Sequence, residues 1–233
     1  MEYRYINGIK LNAFQSEEQL IDYASEHKGI LIAINAEKIY YASEQTREII
    51  NDNISYADGV GAVYALRCRG LKKVKKIAGC ELWYYAIKKY HTAKSFYLIG
   101  STTEVIEKVV EQLKEEFADI NICGYRNGYI KGEKEEADLI NDIADKKPDF
   151  VFVAMGSPKQ EILMQKMLER HKAVYQGLGG SFDVYVGKVK RATSWWINNN
   201  LEWLYRLIKQ PKRIKRQYVF IYFLFYLTFK KKY

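Results

Sequence analysis

Between residues 30 and 177, short apolar segments rich in β-branched and aromatic side chains alternate with amphipathic stretches of about ten or more residues. The strand-like segments are Ile30 to Ile34, Ile54 to Tyr56, Ser95 to Ile99, Ile120 to Gly124, Phe150 to Ala154 and Ala173 to Gly177. Helix-like stretches fall at Glu37 to Ile50, Gly61 to Arg69, Gly79 to Tyr90, Thr103 to Phe117, Glu133 to Lys146 and Lys159 to Arg170. Strands separated by helices long enough to cross back pair in parallel. The alternation therefore predicts an α/β fold: a Rossmann-like, mostly parallel sheet with helices on both faces. Residues 3 to 11 alternate around Asn7-Gly8, a dipeptide suited to a type I′ turn, and predict a small hairpin at the start. A chain of 233 residues holds one large domain with a short appendage, whereas two independent domains would be cramped.

The same alternation places the unusual loops. In a parallel sheet, ligands bind beyond the carboxyl ends of the strands. Asn35, Asp58-Gly-Val-Gly61, Gly156-Ser-Pro-Lys-Gln160 and Gly177-Leu-Gly-Gly-Ser181 all fall there. Asp58 beside Gly59 and Gly61 is either a carboxylate next to closely approachable backbone or a cap on the following helix; spacing leaves both open. It is not a dinucleotide fingerprint, because Ala62, Val63 and Tyr64 follow where a third glycine is needed. Ser157 and Pro158 suit an N-cap and a first helical residue. Lys159 and Gln160 add a cation and an amide suited to a phosphate or a sugar hydroxyl. Gly179 and Gly180, followed by Asp183, make either a tight turn or a loop for phosphate approach. The chain contains no Asp-x-Asp, so a departing diphosphate would need cations or helix dipoles to stabilise its charge.

Charge divides the chain in two. Lys188 to Tyr233 holds 12 Lys or Arg against the single acid Glu202, so the +9 net charge of the chain sits in its last fifth. Such a tail meets a polyanionic surface, with anionic lipid and nucleic acid both eligible. A helical stretch is expected from Trp195 to Gln217, bent at Pro211, followed by the apolar run Val219 to Phe229 and by Lys230, Lys231 and Lys232. Eleven residues make a helix of about 16 Å, half of a hydrocarbon core, so the run suits a segment lying in the membrane interface better than a span. The reading is thus a catalytic domain over residues 1–192 and a basic helical appendage over 193–233. The alternative is a tail docked as a last core helix or strand.

Cys68, Cys80 and Cys123 show no paired spacing, and His27, His91 and His171 are scattered, so reduced thiols and no metal site are expected. The N-terminus lacks the pattern of a signal peptide, which predicts a body that stays in the cytosol.

Several ordered motifs resemble the WecG/TagA/CpsF glycosyltransferases, glycosyltransferase family 26. They are Tyr56-Ala-Asp-Gly-Val-Gly61, Lys76-Ile-Ala-Gly79, Phe96-Tyr-Leu-Ile-Gly100, the stretch from Pro148 through Gly156-Ser-Pro-Lys-Gln-Glu161, and Gly177-Leu-Gly-Gly-Ser-Phe-Asp183 followed by Gly187-Lys-Val-Lys-Arg-Ala192. The resemblance runs from about residue 30 to residue 216. It implies an inverting, metal-independent transfer, without cofactor, of an N-acetylmannosamine-type sugar from a UDP-sugar to polyprenyl-diphosphate-linked N-acetylglucosamine, as in wall teichoic acid or related polysaccharide synthesis. Asp58 matches the family's proposed catalytic base. Asn35 and Gln160 match its active-site polar residues, and Arg206, Arg213 and Arg216 match arginines of an appendage that closes over the site at the membrane.

Two departures stand out: Ala33 where the family typically has Thr, and Lys76 where it often has Arg. The first removes a hydroxyl; the second keeps charge but not a bidentate fork. Both bear on which sugar is recognised. The expected substrate-binding set is Asn35, Gly59, Gly61, Lys76, Gly156, Lys159, Gln160, Gly179, Gly180, Asp183, Arg206, Arg213 and Arg216. The expected setting is cytoplasmic, peripheral on the inner face of the cell membrane, with no nucleic-acid partner and with self-association left open. The rival readings are a nucleic-acid-associated protein using the basic tail and a catalytically idle membrane scaffold that binds UDP-sugar.

Overall fold

Asn7 and Gly8 both adopt positive φ, 51° and 76°, as a type I′ turn demands. They close the expected hairpin of β1 (Tyr3–Ile6) and β2 (Ile9–Asn12). A computed structural model of the chain describes residues 1–190, 192, 193, 195, 196, 199 and 202–209. After the hairpin come α1 (Glu17–His27), β3 (Gly29–Ile34), α2 (Ala36–Tyr41), α3 (Glu44–Asn51), β4 (Ile54–Ala57), α4 (Val60–Cys68) and α5 (Gly79–Tyr90). The second half runs β5 (Ser95–Gly100), α6 (Thr103–Glu116), β6 (Asn121–Arg126), α7 (Gly132–Lys146), β7 (Phe150–Ala154), α8 (Lys159–Arg170), β8 (Val174–Gly177) and α9 (Ser181–Tyr185). A last described helix, α10, spans Glu202–Lys209.

The eight strands form one sheet in the order β1-β2-β4-β3-β8-β7-β5-β6, parallel throughout except for β1 against β2. Apolar side chains of α2, α3, α4, α7 and α8 pack on one face, and those of α1, α5, α6 and α9 on the other. The expected α/β architecture is therefore present, with β8, the last strand among the described residues, at the middle.

Two expectations about helices are corrected. The stretch read as one helix from Glu37 to Ile50 is two, because Ser43 caps a new start: its Oγ accepts from the Thr46 N–H at 3.2 Å. Helix α1 was not expected at all, although Ser16 announces it. Ser16 Oγ accepts from the Gln19 N–H at 3.1 Å and Gln19 Oε1 reaches back to the Gln15 N–H at 2.8 Å, a variant of the capping box.

Aromatic packing fixes the elements that carry the rim. Phe96, Phe150 and Phe152 stack across β5 and β7 with centroids about 6 Å apart. Trp83 of α5 packs edge-on against Phe152 of β7, Phe182 of α9 and Tyr185 of α9. One fully buried indole thus sets the distance of α5 and α9 from the sheet. Among the described residues no helix is long and apolar enough to cross a membrane. Val219 to Phe229, Lys230 to Lys232, Arg213 and Arg216 lie outside the described residues, as does most of the expected appendage.

Candidate active site

The carboxyl ends of β4, β3, β8, β7 and β5 stand side by side; β4 and β3 both lead to the face of α4 and α2, and from β3 through β8 and β7 to β5 the loops turn alternately to opposite faces. The chain leaves β3 and β7 for α2 and α8 on one face, and leaves β8 and β5 for α9 and α6 on the other. Adjacent loops that part in this way leave crevices above the strand ends.

At the β4 and β3 ends, the Asp58 N–H donates to the Ile34 carbonyl at 2.9 Å, which brings Asp58 beside Asn35. Asp58 is half-buried, and Gly59 after it takes φ 120°, a conformation closed to other residues without strain. Asp58 does not cap α4, whose cap position is Gly59 with no side-chain hydrogen bond. Instead Asp58 Oδ2 faces the Gly79 N–H at 3.4 Å, at the start of α5. The Ile77 N–H bonds the Ala57 carbonyl at 2.9 Å and so holds the Lys76 segment against the end of β4. Lys76 is half-buried. Asn35 is exposed, and its Oδ1 caps α2 by accepting from the Lys38 N–H at 2.8 Å. Gly61 is buried within α4 and does not line the open rim.

At the β7 and β8 ends, Gln160 is the organising residue. Its Oε1 accepts from the Gly156 N–H at 3.1 Å and from the Gly179 N–H at 3.0 Å, clipping the two glycine loops together. The expected helix start is corrected here. Pro158 occupies the cap position, so the first helical residue is Lys159. Ser157 does not cap; its Oγ donates to Glu161 Oε1 at 3.0 Å, and Lys38 Nζ of α2 donates to the same oxygen at 2.9 Å. Glu161 is only 5% exposed, so this ion pair is a desolvated tie between α2 and α8. Lys159 is exposed, and beside Gly156, Gly179 and Gly180 nothing lies within 4 Å of an added Cβ. The backbone there is open to approach.

At the β5 end, Ser101 Oγ donates to the Asp183 carboxylate at 3.2 Å, and Lys188 Nζ stands 3.8 Å from it. Ser101 is held in place by its own N–H to the Ala154 carbonyl at 3.1 Å and by its carbonyl, which accepts from the Gly128 N–H at 2.9 Å.

The expected residues therefore gather in three adjoining groups: Asn35, Asp58, Gly59 and Lys76; Gly156, Lys159, Gln160, Gly179 and Gly180; and Asp183. The backbone of Arg206 lies in α10, while Arg213 and Arg216 fall outside the described residues. Sequence reasoning passed over Ser101, Glu161 with Lys38, and Gln176, a fully buried amide in an otherwise apolar strand. For Gln176 alone, a polar residue inside a strand covered on both faces was the available signal. A concavity of about 700 Å³ lined by Glu104, Lys108, Glu111 and Tyr125 lies over α6 at the far edge, away from Asp58, and mixed surface charge is all it offers.

The arrangement offers a half-buried carboxylate at a helix start, open glycine backbone, and Lys159 and Lys188 on one rim. That is the equipment for accepting a proton next to an anionic leaving group. A family model described as the Glycosyl transferase WecG/TagA/CpsF family matches residues 4–233.

Proposed function

Because this chain belongs to the WecG/TagA/CpsF glycosyltransferase family, we propose that it moves an N-acetylmannosamine-type sugar, or a related hexose, from a UDP-sugar to a polyprenyl-diphosphate-linked N-acetylglucosamine. The observation that carries the mechanism is the setting of Asp58. It stands half-buried at the strand ends, next to open backbone, with the Gly79 N–H and the positive end of α5 directed at its Oδ2.

In this reading the transfer is a single in-line displacement. Asp58 takes the proton of the acceptor hydroxyl as that oxygen attacks the anomeric carbon, and UDP departs from the opposite face, which inverts the centre. Charge growing on the diphosphate is met by Lys159, by the amides of the Gly156 and Gly179 loops, and by Arg206, Arg213 and Arg216 of the tail. Asn35 and Asp183 would serve as hydrogen-bonding partners of sugar hydroxyls. Residues 1–192 form the catalytic unit, and residues 193–233 bring it to the inner face of the membrane.

A transferase assay with a panel of UDP-sugars and a synthetic lipid-diphosphate-N-acetylglucosamine acceptor tests the reading. Transfer from UDP-N-acetylmannosamine with inverted product supports it. Binding of UDP-sugar with neither hydrolysis nor transfer would leave the idle scaffold instead.

A further inference from the structure

Beneath the Asp58 loop lies a buried polar pair that no step above uses. Tyr56 on β4 and Gln176 on β8 are both 0% exposed. They approach each other across the intervening β3, where Ala33 is in register with Tyr56. Gln176 Nε2 donates to the Gly79 carbonyl at 2.9 Å, yet Gln176 Oε1 and the Tyr56 hydroxyl have no well-formed hydrogen-bond partner. Polar atoms left so in a core are costly, and apolar side chains of the same size would avoid the cost.

Gly79 connects the pair to the base. A Cβ added at Gly79 would stand 2.7 Å from the Tyr56 hydroxyl oxygen, 3.3 Å from Asp58 Oδ2 and 3.4 Å from the Ala33 methyl. The hydroxyl and the carboxylate therefore crowd one backbone position, which only glycine leaves open. The titratable groups facing the Tyr56 hydroxyl are Asp58, from the loop after β4, and Cys80, from the first turn of α5. Burial, and then the Asp58 carboxylate, hold the phenol well above its ordinary range, so it stays a neutral donor.

We propose that Tyr56 is a positioning residue for the reaction base: its buried hydroxyl, steadied by Gln176, donates to the Asp58 carboxylate when acceptor is bound, keeping it ionised and aimed. The inference rests on Asp58 being the base. Hydrogen bonds of this kind are commonly long before substrate binds and tighten in the working complex.

The experiment compares the pH dependence of kcat/KM for wild type and Tyr56→Phe, together with UDP affinity and thermal midpoint. Phenylalanine keeps the ring and removes a hydroxyl that has no well-formed hydrogen bond, so UDP affinity and midpoint should stay put. A hydrogen bond to the ionised form keeps the base deprotonated to lower pH. Losing it should move the acid limb to higher pH by about one unit, lowering kcat/KM about tenfold at pH values below that limb while the plateau at higher pH changes much less. If Asp58→Asn turned over like wild type, the base assignment would fall and this inference with it. If Asp58→Asn were inactive while the Tyr56→Phe profile superimposed on wild type, the inference alone would fall. Should Tyr56→Phe not fold, Gly79→Ala sets a methyl against both the hydroxyl and the carboxylate, and an unmoved acid limb there overturns the proposal equally.

Discussion

The Gln160 side-chain carbonyl accepts the Gly179 N–H at 3.0 Å, so the first turn of α8 holds the loop that leaves the central strand. The same oxygen holds Gly156. Replacing Gln160 with Ala strands two backbone donors, at a cost of about 1 to 2 kcal/mol, and frees both glycine loops. A lowered denaturant midpoint together with a raised KM for the donor is the expected outcome. A variant with weaker stability but unchanged KM would make the clip structural only.

Asp58→Asn should lower turnover by roughly 10² to 10⁴ while leaving UDP binding nearly intact, because the amide keeps the shape of the side chain and loses its basicity. Paired measurements of kcat and of UDP affinity by calorimetry check this. Wild-type turnover would remove Asp58 from the mechanism.

Acid sensitivity should involve Asp149, at the amino end of β7. Burial pushes its carboxyl up, but the Ser95 N–H at 3.0 Å, Lys94 Nζ at 3.1 Å and Ser95 Oγ at 3.1 Å outweigh burial and hold it below the ordinary carboxylate range. A depressed folded value gives stability that is present above the unfolded value, about 3.9, and is lost as pH falls through the folded one. Chemical denaturation from neutrality to about pH 3 should therefore show wild type losing more stability than Asp149→Asn. Parallel curves would clear Asp149.

Chelation should leave the rate largely unchanged, since the chain lacks Asp-x-Asp and the proposed charge stabilisation relies on Lys159, loop amides and tail arginines. Activity that vanished with EDTA and returned with Mg²⁺ or Mn²⁺ would overturn that account.

The tail's two proposed jobs separate by residue. Each cation near an anionic leaflet contributes about 1 kcal/mol. Replacing Lys230, Lys231 and Lys232 with Gln should weaken vesicle binding yet preserve transfer to a short water-soluble acceptor. Arg213→Gln should depress transfer to that acceptor with membranes absent. If it matched wild type there, the tail would be an anchor alone.

What the sequence disclosed and what it hid follow from range. The strands were legible because runs such as Phe150-Val-Phe-Val-Ala154 are apolar on both faces, and the hairpin because Asn7-Gly8 is a local conformational demand. Helix α1 announced itself only through Ser16 and Gln19, and the break at Ser43 carries neither Gly nor Pro. The rim glycines were legible as a composition. Gln160 as a clip, Glu161 as the partner of Lys38 and Gln176 beneath α5 were not, because each depends on contacts between residues far apart in sequence. Polar residues joined over such distances leave no periodic trace.

Strand order also dictates how this molecule comes into being. Strands β1 to β4 make one half of the sheet and β5 to β7 the other, and β8 is the wedge that joins β3 to β7. A chain emerging from the ribosome therefore carries two incomplete slabs with unpaired inner edges until residues 174–177 arrive. Asp58, in the first slab, and Gly156, in the second, are brought to one rim only when β8 joins them. An enzyme built this way has no complete site before residue 177 of 233 has been made, and a chain cut short before β8 would leave the inner edges of both slabs unpaired.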